Sequence, residues 1–157
     1  MKGGSRMVET FTDLSRLVIR LADHEAMRFN HEYIGTEHLL LALTRDVGGV
    51  ATAALKSLNL DTRKTRFAVE RLLPGGLVMT PDLRLTPRAR TALAYAIQEA
   101  ASLKQKLVGP EHILLGLLRM HECGAEHVLS DLGVTKEAVR REVLGHLGDG
   151  PSHTDAS

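Results

Sequence analysis

Apolar residues recur along this chain with a helical period almost from end to end. Leu14, Leu17, Val18 and Leu21 take the i, i+3, i+4, i+7 positions of one face. With Thr12 before them as N-cap, they predict a first helix of about four turns. After a short polar turn, Ile34-Gly35-Thr36-Glu37 opens a second helix carrying Leu39, Leu40 and Leu43. Gly48-Gly49 then breaks the chain. A third, shorter helix runs through Val50, Ala54 and Leu55 to Leu58-Asn59, where asparagine suits a left-handed cap. A fourth begins at Asp61 and runs through Val69 and Leu73.

The same order then returns. Sliding the sequence by 74 positions aligns residues 12–73 with 86–147 without a gap, and 18 of the 62 pairs are identical, far above chance. Thr86-Pro87 starts the fifth helix, a capping hydroxyl followed by a proline whose missing N–H costs nothing there, and Ala89, Ala92, Leu93, Ala96 and Ala100 form its stripe. Val108-Gly109-Pro110-Glu111 opens the sixth, with Ile113, Leu114 and Leu117. Gly124 precedes a seventh through Val128 and Leu129 to Leu132-Gly133, and Thr135 starts an eighth through Val143 and Leu147. The pattern predicts an all-α protein of two tandem four-helix repeats, residues 11–73 and 85–147, which are joined but distinct. Pro74 to Arg84 holds too many breakers for a helix and reads as a linker. Residues 1–10 and 148–157 have almost nothing to bury and read as flexible ends.

Composition narrows the function. With 43% hydrophobic residues, the 157-residue chain can bury a substantial core. Its net charge of +1 provides no field for nucleic acid or an anionic membrane, and with no Trp, two Tyr and three Phe it lacks stacking platforms for single strands. No apolar run is long enough to cross a bilayer, and no secretory signal opens the chain. The single cysteine, Cys123, excludes an internal disulfide and suits a reducing, cytoplasmic setting. These features point to a protein that partners neither nucleic acid nor membrane.

Enzyme signatures are missing: there is no phosphate-binding loop, no G-x-S-x-G, no H-E-x-x-H and no paired C-x-x-C. His121, Cys123 and His127 lie close enough in sequence to suggest a small metal- or thiol-dependent enzyme, but no recognisable spacing supplies a fourth ligand or a base for the thiol. We therefore expect no catalytic residue, no cofactor and no metal. The informative polar element is the duplicated Gly-x-Glu-His. Glu37 and Glu111 fall in the first turns of their helices, where the macrodipole favours a carboxylate. His38 and His112 fit a structural role, wedged between helices with a backbone partner. A helix-starting threonine, Thr12 or Thr86, accompanies each acidic turn at the same separation. If these starts converge, each site offers a carboxylate beside free N–H groups and a hydroxyl, which suits a zwitterionic group such as a guanidinium carrying an anion.

Phe11-Thr12-Asp13, His24-Glu25-Ala26 and Tyr33 to Leu43, echoed by Leu85-Thr86-Pro87-Arg88-Ala89 and Val108 to Leu117, closely resemble the Clp amino-terminal (Clp repeat) domain, most of all the ClpC type. The resemblance covers about residues 11–147 and implies a pseudo-twofold domain that docks adaptor proteins and substrates for the Clp protease without catalysis of its own. It also implies recognition of phosphorylated arginine, with Glu37 and Glu111 on the guanidinium and Thr12 and Thr86 near the phosphate. Pro110 replaces the threonine of the first repeat and removes a hydroxyl and an N–H, so the resemblance makes Glu37 the stronger site. The turns after the second helix of each repeat, Asp46 to Gly49 and Met120 to Gly124, also depart from the family pattern. The leading expectation is a stand-alone accessory or decoy that modulates Clp proteolysis. The alternative is the amino-terminal domain of a full-length ClpC-like unfoldase.

Overall fold

The computed structural model describes residues 10–72 and 85–149. These residues form eight helices and no strand longer than an isolated bridge. In the first repeat they are α1 (Asp13–Arg28), α2 (Thr36–Thr44), α3 (Gly49–Ser57) and α4 (Thr62–Leu72). In the second they are α5 (Pro87–Ser102), α6 (Pro110–Leu118), α7 (Gly124–Asp131) and α8 (Lys136–Asp149). The all-α, two-repeat reading holds helix for helix. Helix α8 continues two residues past the boundary drawn at 147. The linker and the remainder of both ends lie outside the described residues.

Local chemistry accounts for the boundaries. The Thr12 hydroxyl accepts from the Ser15 N–H, Thr86 from Ala89, Thr135 from Ala138, and the Asp61 carboxylate from Lys64, so four helices start on side-chain caps. Asn59 and Gly133 hold the left-handed turns after α3 and α7, at φ 61° and 75°.

The buried face of α1 shares only Val18 with the predicted one. Ser15, Val18, Ala22, Glu25 and Ala26 are buried, while Leu14, Leu17 and Leu21 are only half-buried. The face is turned by one residue, so that α1 packs on α2 largely through small side chains. The alanine stripe predicted for α5 is the buried one, and here the contact with α6 is close. A Cβ on Gly116 of α6 would overlap the Ala92 carbonyl and stand 2.8 Å from the Ala96 nitrogen.

Helices α2 and α6, buried on nearly every face, form the centre. Around them the repeats exchange partners. Helix α3 packs on α6 and α8 of the second repeat, and α7 packs on α2 and α4 of the first. Thus the halves expected to be distinct share one continuous core, from Leu39, Leu41 and Leu55 to Leu114, Leu129 and Val143. Arg71 of α4 and Asp131 of α7 form an ion pair at 2.5 Å across the same seam. Among the described residues, no helix is long and apolar enough to cross a membrane.

Candidate functional site

The exchange extends to the backbone before each helix start. The Thr12 N–H donates to the Val108 carbonyl at 3.0 Å, and the Val108 N–H to that of Thr10 at 2.8 Å. Symmetrically, the Thr86 N–H donates to the Ile34 carbonyl at 2.9 Å. Each threonine is therefore tied to the acidic turn of the other repeat, Thr12 to Val108-Gly109-Pro110-Glu111 and Thr86 to Ile34-Gly35-Thr36-Glu37. Sequence reasoning paired them within a repeat, since a one-dimensional offset cannot show which copy a turn meets. Ser15 reinforces the first junction, its hydroxyl donating to the Val108 carbonyl at 2.7 Å.

Both glutamates fold back over the glycine two residues earlier. Built Cβ atoms on Gly35 and Gly109 would fall 2.6 and 2.8 Å from the nearest carboxylate oxygen, so glycine is needed at both for space. Beyond this the sites diverge. The Glu37 side chain is 9% exposed, with its carboxylate pressed against Gly124 at the start of α7. Beside it the Thr36 hydroxyl accepts from the buried Ala125 N–H at 3.0 Å. Glu111 is only half-buried and lines a cleft of about 350 Å³ with Leu103, Gln105, Leu144 and Leu147. Pro110 pointed to Glu37 as the stronger site, yet accessibility runs the other way.

The histidines do what was expected of them. His38 Nδ1 accepts from the Gly35 N–H and His112 Nδ1 from the Gly109 N–H, both at 2.9 Å, and both rings are buried. These bonds fix the proton on Nε2. His38 Nε2 then donates to His31 Nδ1 at 2.8 Å. Gln105 stands at the His31 position of the second repeat, and the buried His112 Nε2 has no partner among the described residues.

Burial decides the titration of this region. It drives His38 down to about 3, helped by His31 and opposed by Glu25. The 3.6 Å approach of its Nδ1 to Glu37 is therefore not an ion pair. Burial also lowers His112, against Glu111 and Glu99. It raises the Glu37 carboxyl, an effect that its own backbone N–H, His31 and His127 only partly offset.

A charge cluster that sequence reasoning did not assemble lies under α1. Glu25, 1% exposed, accepts from Arg66 at 2.8 and 3.1 Å and from Arg45 at 3.0 Å. Burial works to raise this carboxyl, but Arg66, Arg45 and Arg28 outweigh it and hold it low. In the second repeat Arg119 meets Glu99 at 3.5 Å and lies 4.0 Å from the Tyr95 ring centre. The signal was available, because Glu25/Glu99, Arg45/Arg119 and Arg66/Arg140 are identical pairs of the repeat. The cluster ties α1 to α4 and to the end of α2.

The His121, Cys123 and His127 set is not brought together as a metal centre. Cys123 is buried at the start of α7, and His121 lies 3.3 Å from the Lys136 amine. Among the described residues no three metal-binding side chains gather.

Relatives agree with this architecture. The negative regulator of genetic competence ClpC/MecB of Bacillus subtilis (strain 168) is 40% identical over 151 residues, 96% of this chain and 19% of the relative. The chain thus spans about a fifth of the length of the curated relatives it matches. The N-terminal domain of the caseinolytic protease associated chaperone ClpD from Arabidopsis thaliana superimposes with a TM-score of 0.73 at 23% identity, covering 88% of this chain and 98% of that one. The ClpV N-domain in complex with a VipB peptide gives 0.71 at 17% identity, covering 94% and 92%. With residues 10–80 and 84–157 both matching its pattern, the chain belongs to the Clp repeat (R) N-terminal domain family.

Proposed function

We propose that this protein is a non-catalytic docking module of the cytoplasmic Clp system, receiving adaptors or tagged protein segments, including segments phosphorylated on arginine. The observation that carries the reading is the duplicated Gly-x-Glu-His. It sets a carboxylate at each seam between the repeats, with the N-cap threonine of the other repeat on the same turn. Glu37 with Thr86, and Glu111 with Thr12, are the candidate binding pairs. A guanidinium on the carboxylate and an attached phosphate toward the threonine satisfy both ends of such a ligand, each charge-assisted bond being worth about 1.5–3 kcal/mol. Peptide capture by a ClpV N-domain of the same fold supports a peptide as partner.

Isothermal calorimetry with an arginine-phosphorylated peptide and its unmodified counterpart tests the reading. Saturable binding of the phosphorylated form alone is expected, and no heat from either peptide with folded protein rejects it. Whether the module works as a stand-alone accessory or in cis with an unfoldase is a second question. The fivefold greater length of the relatives favours the unfoldase setting, and the mass of the native polypeptide, by immunoblot of the source cell, decides it.

A further inference from the structure

We propose that the two sites are not equivalent: the Glu37 site is occupied by the protein's own helix α7, and the Glu111 site alone is open, so one ligand binds per chain. This rests on the docking function proposed above and assigns its stoichiometry and its determinants.

Two side chains close the first site. The Thr36 hydroxyl caps the Ala125 N–H, and the Glu37 carboxylate lies over Gly124, where a Cβ would overlap Oε1 and stand 2.9 Å from Cδ. With its side chain only 9% exposed and the start of α7 lying against it, the Glu37 carboxylate cannot be reached by a guanidinium unless α7 moves.

Both features are altered at the equivalent positions of the second repeat. Pro110 has no hydroxyl to offer Ala51, and Val50 brings a side chain where Gly124 has none. Glu111 folds over Gly109 and, unlike Glu37, remains partly exposed. The cleft beside it is walled by Leu103, Leu144 and Leu147, with Leu144 42% exposed. Gln105, at the position that His31 holds in the first repeat, lines this cleft and leaves the buried His112 Nε2 without a partner among the described residues. A carboxylate beside an aliphatic wall selects a cationic side chain followed or preceded by a leucine-like one. The specificity is for arginine-type residues in an apolar context.

Calorimetry with an arginine-phosphorylated peptide carrying a neighbouring leucine separates the outcomes. The native chain is expected to bind one peptide, and Glu111→Gln to weaken it about tenfold or more. Gly124→Ala expels the Glu37 carboxylate from the helix start and raises the stoichiometry to two, and adding Glu37→Gln to that variant returns it to one. Two peptides bound by the native chain, or undiminished binding by Glu111→Gln, overturn the asymmetry while leaving the docking function intact. No binding by the folded native chain overturns both.

Discussion

Replacing Thr36 by valine removes one oxygen from a helix start 89 residues away in sequence. Helix α7 is eight residues long, and its N-cap, Cys123, contributes no side-chain bond. The Thr36 hydroxyl is therefore a substitute cap supplied by the first repeat, at 3.0 Å from a buried N–H. Valine has nearly the same shape and leaves the Ala125 donor unpaired in a site that water does not reach. An unpaired buried donor costs about 1–3 kcal/mol, partly offset because the valine no longer carries a hydroxyl into the core. The expected net loss is about 1.5 kcal/mol, or about 3–6 °C in Tm for a domain of this size. Urea denaturation measures the loss, and amide exchange locates it: protection should fall at Ala125 and its neighbours in α7 and persist at Leu114 in α6. Thr36→Ser, which keeps the acceptor, should recover most of the stability. Equal stability and unchanged Ala125 exchange in the valine variant would refute the cross-repeat cap.

Two further outcomes follow from the packing and the titrations. Gly116→Val should cost about 3 kcal/mol or more in urea denaturation, because its branches must enter the Ala92 carbonyl and the Ala96 backbone rather than a movable side chain. Stability should also fall on acidification below pH 6.5. His38 is held down to about 3, so the unfolded chain takes up a proton that the folded one refuses, and the loss reaches about 1 kcal/mol near pH 5.5. His112 acts in the same direction. Glu37, raised by burial, acts oppositely, since the fold binds its proton first and gains stability as pH drops through its raised value. Denaturation at pH 7.5 and 5.5 should show a shallower slope for His38→Gln.

Helix order and most helix starts were legible because each rests on local chemistry: the hydroxyls of Thr12 and Thr86, the proline at 87, the left-handed Asn59 and Gly133. The roles of His38 and His112 were legible for the same reason, their partner being three residues away. What the sequence could not show was any property set by the exchange between repeats. Of the stripe Leu14, Leu17, Val18 and Leu21 only Val18 is buried, and packing on α2 takes Ser15 and Ala22 in place of the leucines. Thr12 was read with Glu37, though its backbone meets Val108. The same exchange sets the accessibility of the two carboxylates, which Pro110 alone could not show. The hydroxyl it lacks serves, in Thr36, to hold α7 in place, and that contact buries the carboxylate beside it.

The traded third helices have an evolutionary corollary. A lone repeat would expose the faces of α2 and α4 that α7 covers and would leave α3 only its own α2 to pack on. Two copies of such a repeat, each lending its third helix to the other, would satisfy both. The present chain thus has the form of a fused homodimer, in which the covalent join lets the two once-identical interfaces drift apart, as the different burial of Glu37 and Glu111 shows.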